Sequence, residues 1–279
     1  MSVVLITGCS SGFGKLAAVE FARRGDTVFA SMRNAAKSGP LLDAAKAASV
    51  SVEVVELDVT DARSVDAAVA DVLRRAGRID VLVNNAGLGI HGPLEDSDDD
   101  EVQRVFDTNV FGLLRVTRAV APHMRAQGTG TIVNVGSLAG KVTAPFGGVY
   151  SASKHAVESI SDALHFELHP FGVRVVLVEP GGFETEFGAN RVMQRRFTEG
   201  SAYAELERRF EERTSRLPGA GERADAQLVA NVIVDAARAE QPKRRYLVGQ
   251  DAEMIGGLHK QMSDEDFEKA MRTALDFWE

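Results

Sequence analysis

The chain holds a single cysteine, Cys9, among 279 residues, so no internal disulfide can form and a reducing compartment is expected. No apolar run approaches the ~20 residues of a membrane span. The first residues, Met1 to Gly8, carry no basic segment ahead of an apolar stretch, so no signal peptide is expected. These absences lead us to expect a soluble, cytoplasmic protein. Positive charge is not in excess either: 32 Lys and Arg stand against 40 Asp and Glu, a net charge of −8. That balance argues against a broad nucleic-acid surface. No group of His, Cys, Asp and Glu shows metal-ligand spacing, and no metal is expected. Internal repeats, low-complexity tracts and domain linkers are missing as well. With 44% hydrophobic and 26% charged residues, the chain fits one large soluble domain.

What is present is alternation. Short β-branched runs at Val3–Ile6, Thr27–Ser31, Val52–Leu57, Ile79–Asn84, Thr131–Gly136, Val173–Val178 and Tyr246–Val248 read as seven strands. Helical patterns fall between them, at Lys15–Arg24, Leu41–Ala48, Asp61–Ala76, Asp98–Gln127 (one helix or two joined ones), Tyr150–His169 and Ala226–Ala239. A further helix is expected over Asp264–Phe277. Strand-helix alternation predicts an α/β fold, a doubly wound parallel sheet with helices on both faces, in which ligands bind beyond the carboxyl ends of the strands. The whole of 1–279 reads as one domain, with an insertion over about 183–217 and a C-terminal extension over about 250–279. The insertion is crowded with Arg191, Arg195, Arg196, Arg208, Arg209, Arg213 and Arg216. It reads either as a solvated helix face with Glu–Arg pairs or as a lid over a site. The acidic run Asp96–Glu101 reads as a loop and a helix start, where negative charge suits the dipole.

Thr7-Gly8-Cys9-Ser10-Ser11-Gly12-Phe13-Gly14 follows the first strand and opens a helix. Glycines there permit a tight turn and close approach of backbone to a pyrophosphate, and the helix N-terminus supplies N–H groups and a positive dipole end. The second strand runs into Ser31-Met32-Arg33-Asn34 with no carboxylate to meet a ribose 2′-hydroxyl. Arg33 suits a 2′-phosphate instead, and Ser11 offers a hydroxyl, so NADP(H) is favoured over NAD(H). Tyr150 and Lys154 lie four apart in a helical run and share a face. A phenol titrates near ~10, and a neighbouring ammonium favours its ionised form. Such a tyrosine exchanges a proton with an alcohol or carbonyl oxygen.

Together these stretches resemble the short-chain dehydrogenase/reductase family, over nearly the whole chain to about Val248. Thr7-Gly8-x-x-x-Gly12-x-Gly14 matches the cofactor loop. Asp58, with Val59 beside it, matches the acid that holds the adenine amino group. Asn84-Asn85-Ala86-Gly87 matches the segment after the fourth strand. Pro180-Gly181, with Phe183 and Thr185, matches the nicotinamide-side loop. Asn109, Ser137, Tyr150 and Lys154 match the catalytic tetrad. Asn85 to Leu94 and His169 to Val173 resemble the 17β-hydroxysteroid and retinol dehydrogenase branch.

The resemblance implies an alcohol–carbonyl oxidoreductase in which Tyr150 is the acid/base and Ser137 holds the substrate oxygen. Lys154 lowers the tyrosine's pKa and holds the nicotinamide ribose, and Asn109 holds a relay water. By position, Ser137, Leu138, Val142, Phe146 and Tyr150 are expected to border a small-molecule alcohol or carbonyl substrate that is bulky and apolar. A homodimer or homotetramer is the family's default. Two alternatives stand beside this reading: a 3-oxoacyl thioester reductase of the same family, and a non-catalytic NADP-sensing regulator. His91 and His155 receive no role.

Overall fold

The computed structural model describes residues 1–183, 185–186, 191–216 and 224–276. Seven strands form one sheet: β1 (Val3–Ile6), β2 (Thr27–Met32), β3 (Glu53–Glu56), β4 (Val81–Asn84), β6 (Gly130–Val135), β7 (Val173–Pro180) and β9 (Arg245–Val248). Their order is β3-β2-β1-β4-β6-β7-β9, and every pairing is parallel. Two short strands, β5 (Ile90–His91) and β8 (Val192–Met193), pair with each other in a separate ribbon. The helices are α1 (Gly12–Arg23), α2 (Gly39–Ala47), α3 (Ala62–Ala76), α4 (Asp99–Phe106), α5 (Leu113–Gln127), α6 (Gly148–Leu168), α7 (Ala204–Thr214), α8 (Gln227–Arg238), α9 (Gln250–Gln261) and α10 (Asp264–Leu275).

The all-apolar sequence of β1 has a direct structural reason. Val4 and Ile6 enter one core with Phe21 of α1 and Ile233 of α8. Val3 and Leu5, on the opposite face, enter another with Val69 of α3 and Val116 of α5. A strand buried on both faces cannot alternate apolar with polar residues. Progression from β1 to β3 runs one way, and β4 returns to the other side of β1. The strand order therefore reverses between β1 and β4, and a crevice opens there at the carboxyl ends, as expected for a Rossmann-type fold.

The helices follow local chemistry. Asp61 caps α3 by accepting from Arg63 N at 2.9 Å, and Gly77 ends it with φ 75°, a conformation that glycine adopts without strain. The expected stretch Asp98–Gln127 is two helices, α4 and α5, joined by one turn of π-helix over Asp107–Gly112. The expected final helix stops at Leu275, and Phe277 lies outside the described residues. The β5–β8 ribbon and α9 carry no clear sequence signal. No helix among the described residues is long and apolar enough to cross a membrane.

The arginine-rich insertion makes surface pairs and contacts to the body, although 184, 187–190 and 217 lie outside the described residues. Arg208 pairs with Glu205 at 2.7 Å on the outer face of α7. Arg195 and Arg196 instead cross to the start of α4. Arg195 Nη2 lies 3.0 Å from Asp98 and 2.5 Å from Asp100, and Arg196 Nε lies 2.7 Å from Asp98. The acidic run is thus also the dock for the insertion. Ser201 adds a hydrogen bond to Asp96 at 2.7 Å, and Tyr203 donates to Glu95.

Candidate active site

A cleft of about 320 Å³ opens at the reversal point, lined by the glycine loop, the ends of β2 and β3, the segment after β4, and Tyr150, Lys154 and Thr185. Gly8 has φ 73°, and a Cβ there would lie 2.8 Å from Ala86 Cα. Only glycine lets the loop lie this close to the segment after β4. That contact is sewn by Thr7, whose Oγ1 accepts from Asn85 N and Ala86 N, both at 3.0 Å. Asn85 Nδ2 donates back to the carbonyls of Thr7 and Gly8 at 2.9 and 3.0 Å. Beyond Ser11, α1 begins with no side-chain cap and no acid in its first turn. Its N–H groups and positive dipole end therefore suit a diphosphate.

Most of the expected cofactor residues line this cleft: Gly8, Ser10, Ser11, Gly12, Phe13, Arg33, Asp58, Val59, Asn85, Ala86, Gly87, Tyr150, Lys154 and Thr185. Asp58 Oδ1 is occupied by Thr60 N and Oγ1 at 2.9 and 2.7 Å. Arg33 is exposed and has no hydrogen bond or ion pair among the described residues. Gly14, Pro180, Gly181 and Phe183 do not line the cleft. Gly14 packs against the back of the loop, where a Cβ would come 2.4 Å from Asn85 Nδ2 and 2.5 Å from Gly8 O. Pro180 O faces Ser137 Oγ at 3.5 Å. Gly181 N donates to Val248 O at 2.9 Å, and Phe183 closes edge-on over Phe13 at 5.7 Å. No local motif marks Arg104 and Thr108, which line the cleft from α4 and the π-turn.

Three of the tetrad residues meet at one end of the cleft. Tyr150 is hydrogen-bonded to Ser137, and Ser137 Oγ also caps the next turn, accepting from Ala139 N at 3.1 Å. Lys154 Nζ lies 5.8 Å from the centre of the Tyr150 ring and donates to Val135 O at 2.7 Å. Burial holds the Lys154 ammonium down to about 8, with the Glu158 carboxylate acting the other way. Burial likewise pushes the Tyr150 phenol up to about 12 against the Ser137 hydrogen bond. The expected lowering of the phenol by the ammonium is therefore not found here: burial dominates, because desolvation disfavours the charged form of both groups. Asn109 sits on the π-turn with its side chain bonded at three points. Oδ1 accepts from Leu88 N at 2.7 Å, and Nδ2 donates to Leu88 O and Ser153 Oγ, both at 3.0 Å. It ties the post-β4 segment to α6, and π-turns recur at such functional positions.

A second cavity, about 730 Å³, lies between residues 142–148, Leu94, α7 and α10, with Phe267, Met271 and Leu275 on its wall. Of the expected substrate residues, Val142 and Phe146 line this cavity and Tyr150 lines the cofactor cleft, whereas Ser137 and Leu138 line neither. Phe146 has φ 62°, an uncommon state for an aromatic residue, costing roughly 1–2 kcal/mol. Its ring is held by His91, Phe197 and Phe210 at 5.9, 6.2 and 5.8 Å. His91 is buried, hydrogen-bonded to Glu207 at 2.9 Å. With Glu211 it brings three potential metal-ligand atoms within 4.8 Å of one another. Chain spacing cannot reveal this group, since His91 and Glu207 lie 116 positions apart. Arg191 pairs with Glu211 at 3.8 Å, so the same side chains also clamp α7 to β5.

A model of the short chain dehydrogenase family matches residues 2–196. The chain is 41% identical over 203 residues to a 3-ketodihydrosphingosine reductase of Bacteroides thetaiotaomicron, covering 73% of this chain and 72% of that protein. It is 39% identical over 258 residues to estradiol 17-beta-dehydrogenase 1 of Rattus norvegicus, covering 88% and 73%. A short-chain dehydrogenase structure from Streptomyces avermitilis superposes with TM-score 0.79 at 35% identity, covering 98% and 97%. Among similar structures, a gluconate 5-dehydrogenase from Burkholderia cenocepacia is in complex with NADP and tartrate (TM-score 0.74, 26% identity, 91% and 95% covered). A family member from Burkholderia phymatum is in complex with NAD (TM-score 0.78, 28% identity, 96% and 95% covered). The protein belongs to the short-chain dehydrogenase/reductase family. It is an oxidoreductase of that type, with relatives among the 17β-hydroxysteroid dehydrogenases.

Proposed function

We propose that the protein interconverts an alcohol and a ketone or aldehyde with NADP(H), using Tyr150 as the acid/base, on a bulky apolar substrate. The observation that carries this reading is the meeting of Ser137, Tyr150 and Lys154 at one end of the cleft that the glycine loop opens. A nicotinamide bound there supplies or accepts the hydride. The residues fit such a group: a loop with no room for a Cβ at Gly8, an uncapped helix start, and Arg33 free at the mouth. Asp58, with Oδ1 taken by Thr60, keeps Oδ2 for an adenine amino group.

In the reductive direction Tyr150 gives its proton to the substrate oxygen. Ser137, already bonded to the phenol, holds that oxygen in place. Lys154 stabilises the phenolate left behind. The Tyr150 phenol, raised by burial, would be brought down by the positive charge of an oxidised nicotinamide held in the cleft. Asn109 Oδ1 accepts one hydrogen bond, from Leu88 N, and keeps a second lone pair for a relay water. Favouring NADP rests on Arg33, whose guanidinium suits a 2′-phosphate. The apolar substrate rests on the cavity beside Phe146, and the named substrates of the two relatives, a ketosphingoid base and a steroid, share that character. The test is turnover on a panel of ketones and alcohols, followed by nicotinamide absorbance. Tyr150→Phe should abolish it while NADPH still binds, and substantial residual turnover removes Tyr150 from the acid/base role.

A further inference from the structure

Behind the tetrad lie two buried carboxyl groups that the mechanism above does not use. Glu158 follows Lys154 by four residues on α6, so the two share a helix face. Glu179 is on β7, immediately before Pro180. They are 7% and 1% exposed. Each has a buried Oε1 that accepts no hydrogen bond from an N–H or hydroxyl, and the two carboxyls lie within hydrogen-bond reach of each other. Two cations serve both. Lys141 Nζ lies 2.5 Å from Glu158 Oε2 and 3.4 Å from Glu179 Oε1. Arg245 Nε lies 3.1 Å and 3.7 Å from the same atoms. Arg245 is itself shared with Asp162 at 2.7 Å, and Asp162 also holds Arg244.

Two carboxylates this close and this dry repel each other, and one proton between them removes the repulsion. It also gives the partnerless oxygens a donor, which a buried acceptor needs. We propose that Glu158 and Glu179 share one proton, and that the singly charged pair is a positioning device that keeps Lys154 an ammonium. This rests on the reading of Lys154 as the group that acts on Tyr150.

The electrostatics follow the same sense. Burial and the neighbouring Glu158 push Glu179 up to about 8, so it keeps its proton through neutrality. Glu158 then carries the negative charge, and that charge opposes the burial that depresses Lys154. Replacing Glu158 by Gln removes the anion, and Lys154 loses its proton at lower pH. Replacing Glu179 by Gln copies its protonated form and leaves Lys154 nearly unchanged at neutral pH.

The experiment is an NMR titration of the full chain carrying labelled glutamate and lysine, for wild type, Glu158→Gln and Glu179→Gln. One carboxyl should titrate well above the ordinary range in wild type and vanish in Glu179→Gln. Lys154 should titrate lower by about 1 unit in Glu158→Gln and nearly as wild type in Glu179→Gln. Both carboxyls titrating in the ordinary range, or Lys154 unmoved in Glu158→Gln, overturns the proposal. If Glu158→Gln does not fold, a high-titrating carboxyl that persists in Glu179→Gln overturns it equally. In turnover, Glu158→Gln should move the alkaline limb of kcat/KM to lower pH, whereas a loss uniform across pH marks a structural role only. Because the titration needs no substrate, these shifts in a protein without turnover refute the proposed activity and leave the shared proton standing.

Discussion

Gly14 offers a sharp test of how the cofactor loop is held. It belongs to the glycine pattern, yet it lies behind the cleft. Its backbone is helical, so an alanine there meets no φ/ψ penalty and Gly14→Ala tests packing alone. The added Cβ would fall 2.5 Å from Gly8 O and 2.4 Å from Asn85 Nδ2, against a comfortable separation of about 3.5 Å. Gly8 O is backbone and cannot rotate away. Asn85 can yield only by giving up its bonds to Thr7 O and Gly8 O, each worth about 1 kcal/mol. Overpacking adds about 1–3 kcal/mol. We expect a loss of about 3–5 kcal/mol, read as a Tm fall of several degrees, together with weakened NADPH binding because the loop shifts. The control is Gly257→Ala in α9, where nothing lies within 4 Å of the new methyl and a gain of about 0.5–1 kcal/mol is expected. Gly14→Ala as stable as that control, with wild-type NADPH affinity by calorimetry, would refute the packing argument.

Arg33→Ala should remove a charge-assisted contact worth about 1.5–3 kcal/mol, weakening NADPH by roughly 10- to 100-fold while NADH changes little; equal effects on both would remove Arg33 from the 2′-phosphate role. Lys154→Met should abolish turnover and yet raise Tm at neutral pH. The unfolded lysine keeps its proton up to its ordinary value while the folded one releases it at about 8, so carrying the charge costs the fold about 3 kcal/mol below that pH, partly offset by the lost bond to Val135 O. Between those two values wild-type stability should rise with pH, and in Lys154→Met that rise should be missing from a Tm series. Arg195→Ala should speed proteolysis within 191–216 and make it less sensitive to salt, while the Tm of the body changes little.

How much of this was legible in the chain depended on whether a property was local. The glycine loop, the all-apolar β1 and the Tyr150–Lys154 spacing are set by neighbours within a few positions, and the structure places all three as read. The same holds for the seven strands, within one or two residues at most ends. Roles that depend on what the fold brings alongside were not legible. The acidic run Asp96–Glu101 looked like helix-dipole compensation, and Asp98 and Glu101 do form a capping box; their second role appears only once Arg195 is folded against them. His91 had no role until Glu207 arrived from another element. Gly14 looked like Gly8, although one packs behind the loop and the other lets it lie close to Ala86.

The site also explains why its residues read as liabilities. Lys154 is buried with a depressed pKa, Tyr150 with a raised one, Phe146 has a backbone torsion that suits glycine, and Glu158 and Glu179 bring two buried carboxyls together. A fold selected for stability alone would exchange each for a better-packed residue. Their concentration on α6 and the strand ends that face it separates function from packing more cleanly than any single motif. The helix carries Tyr150, Lys154 and Glu158 at successive i+4 positions, one stripe that lines up the proposed acid, its cation and the anion proposed behind the cation. Shifting Glu158 by one position would turn its carboxyl about 100° around the helix, leaving Lys141 and Arg245 to share Glu179 alone and Lys154 without its supporting charge.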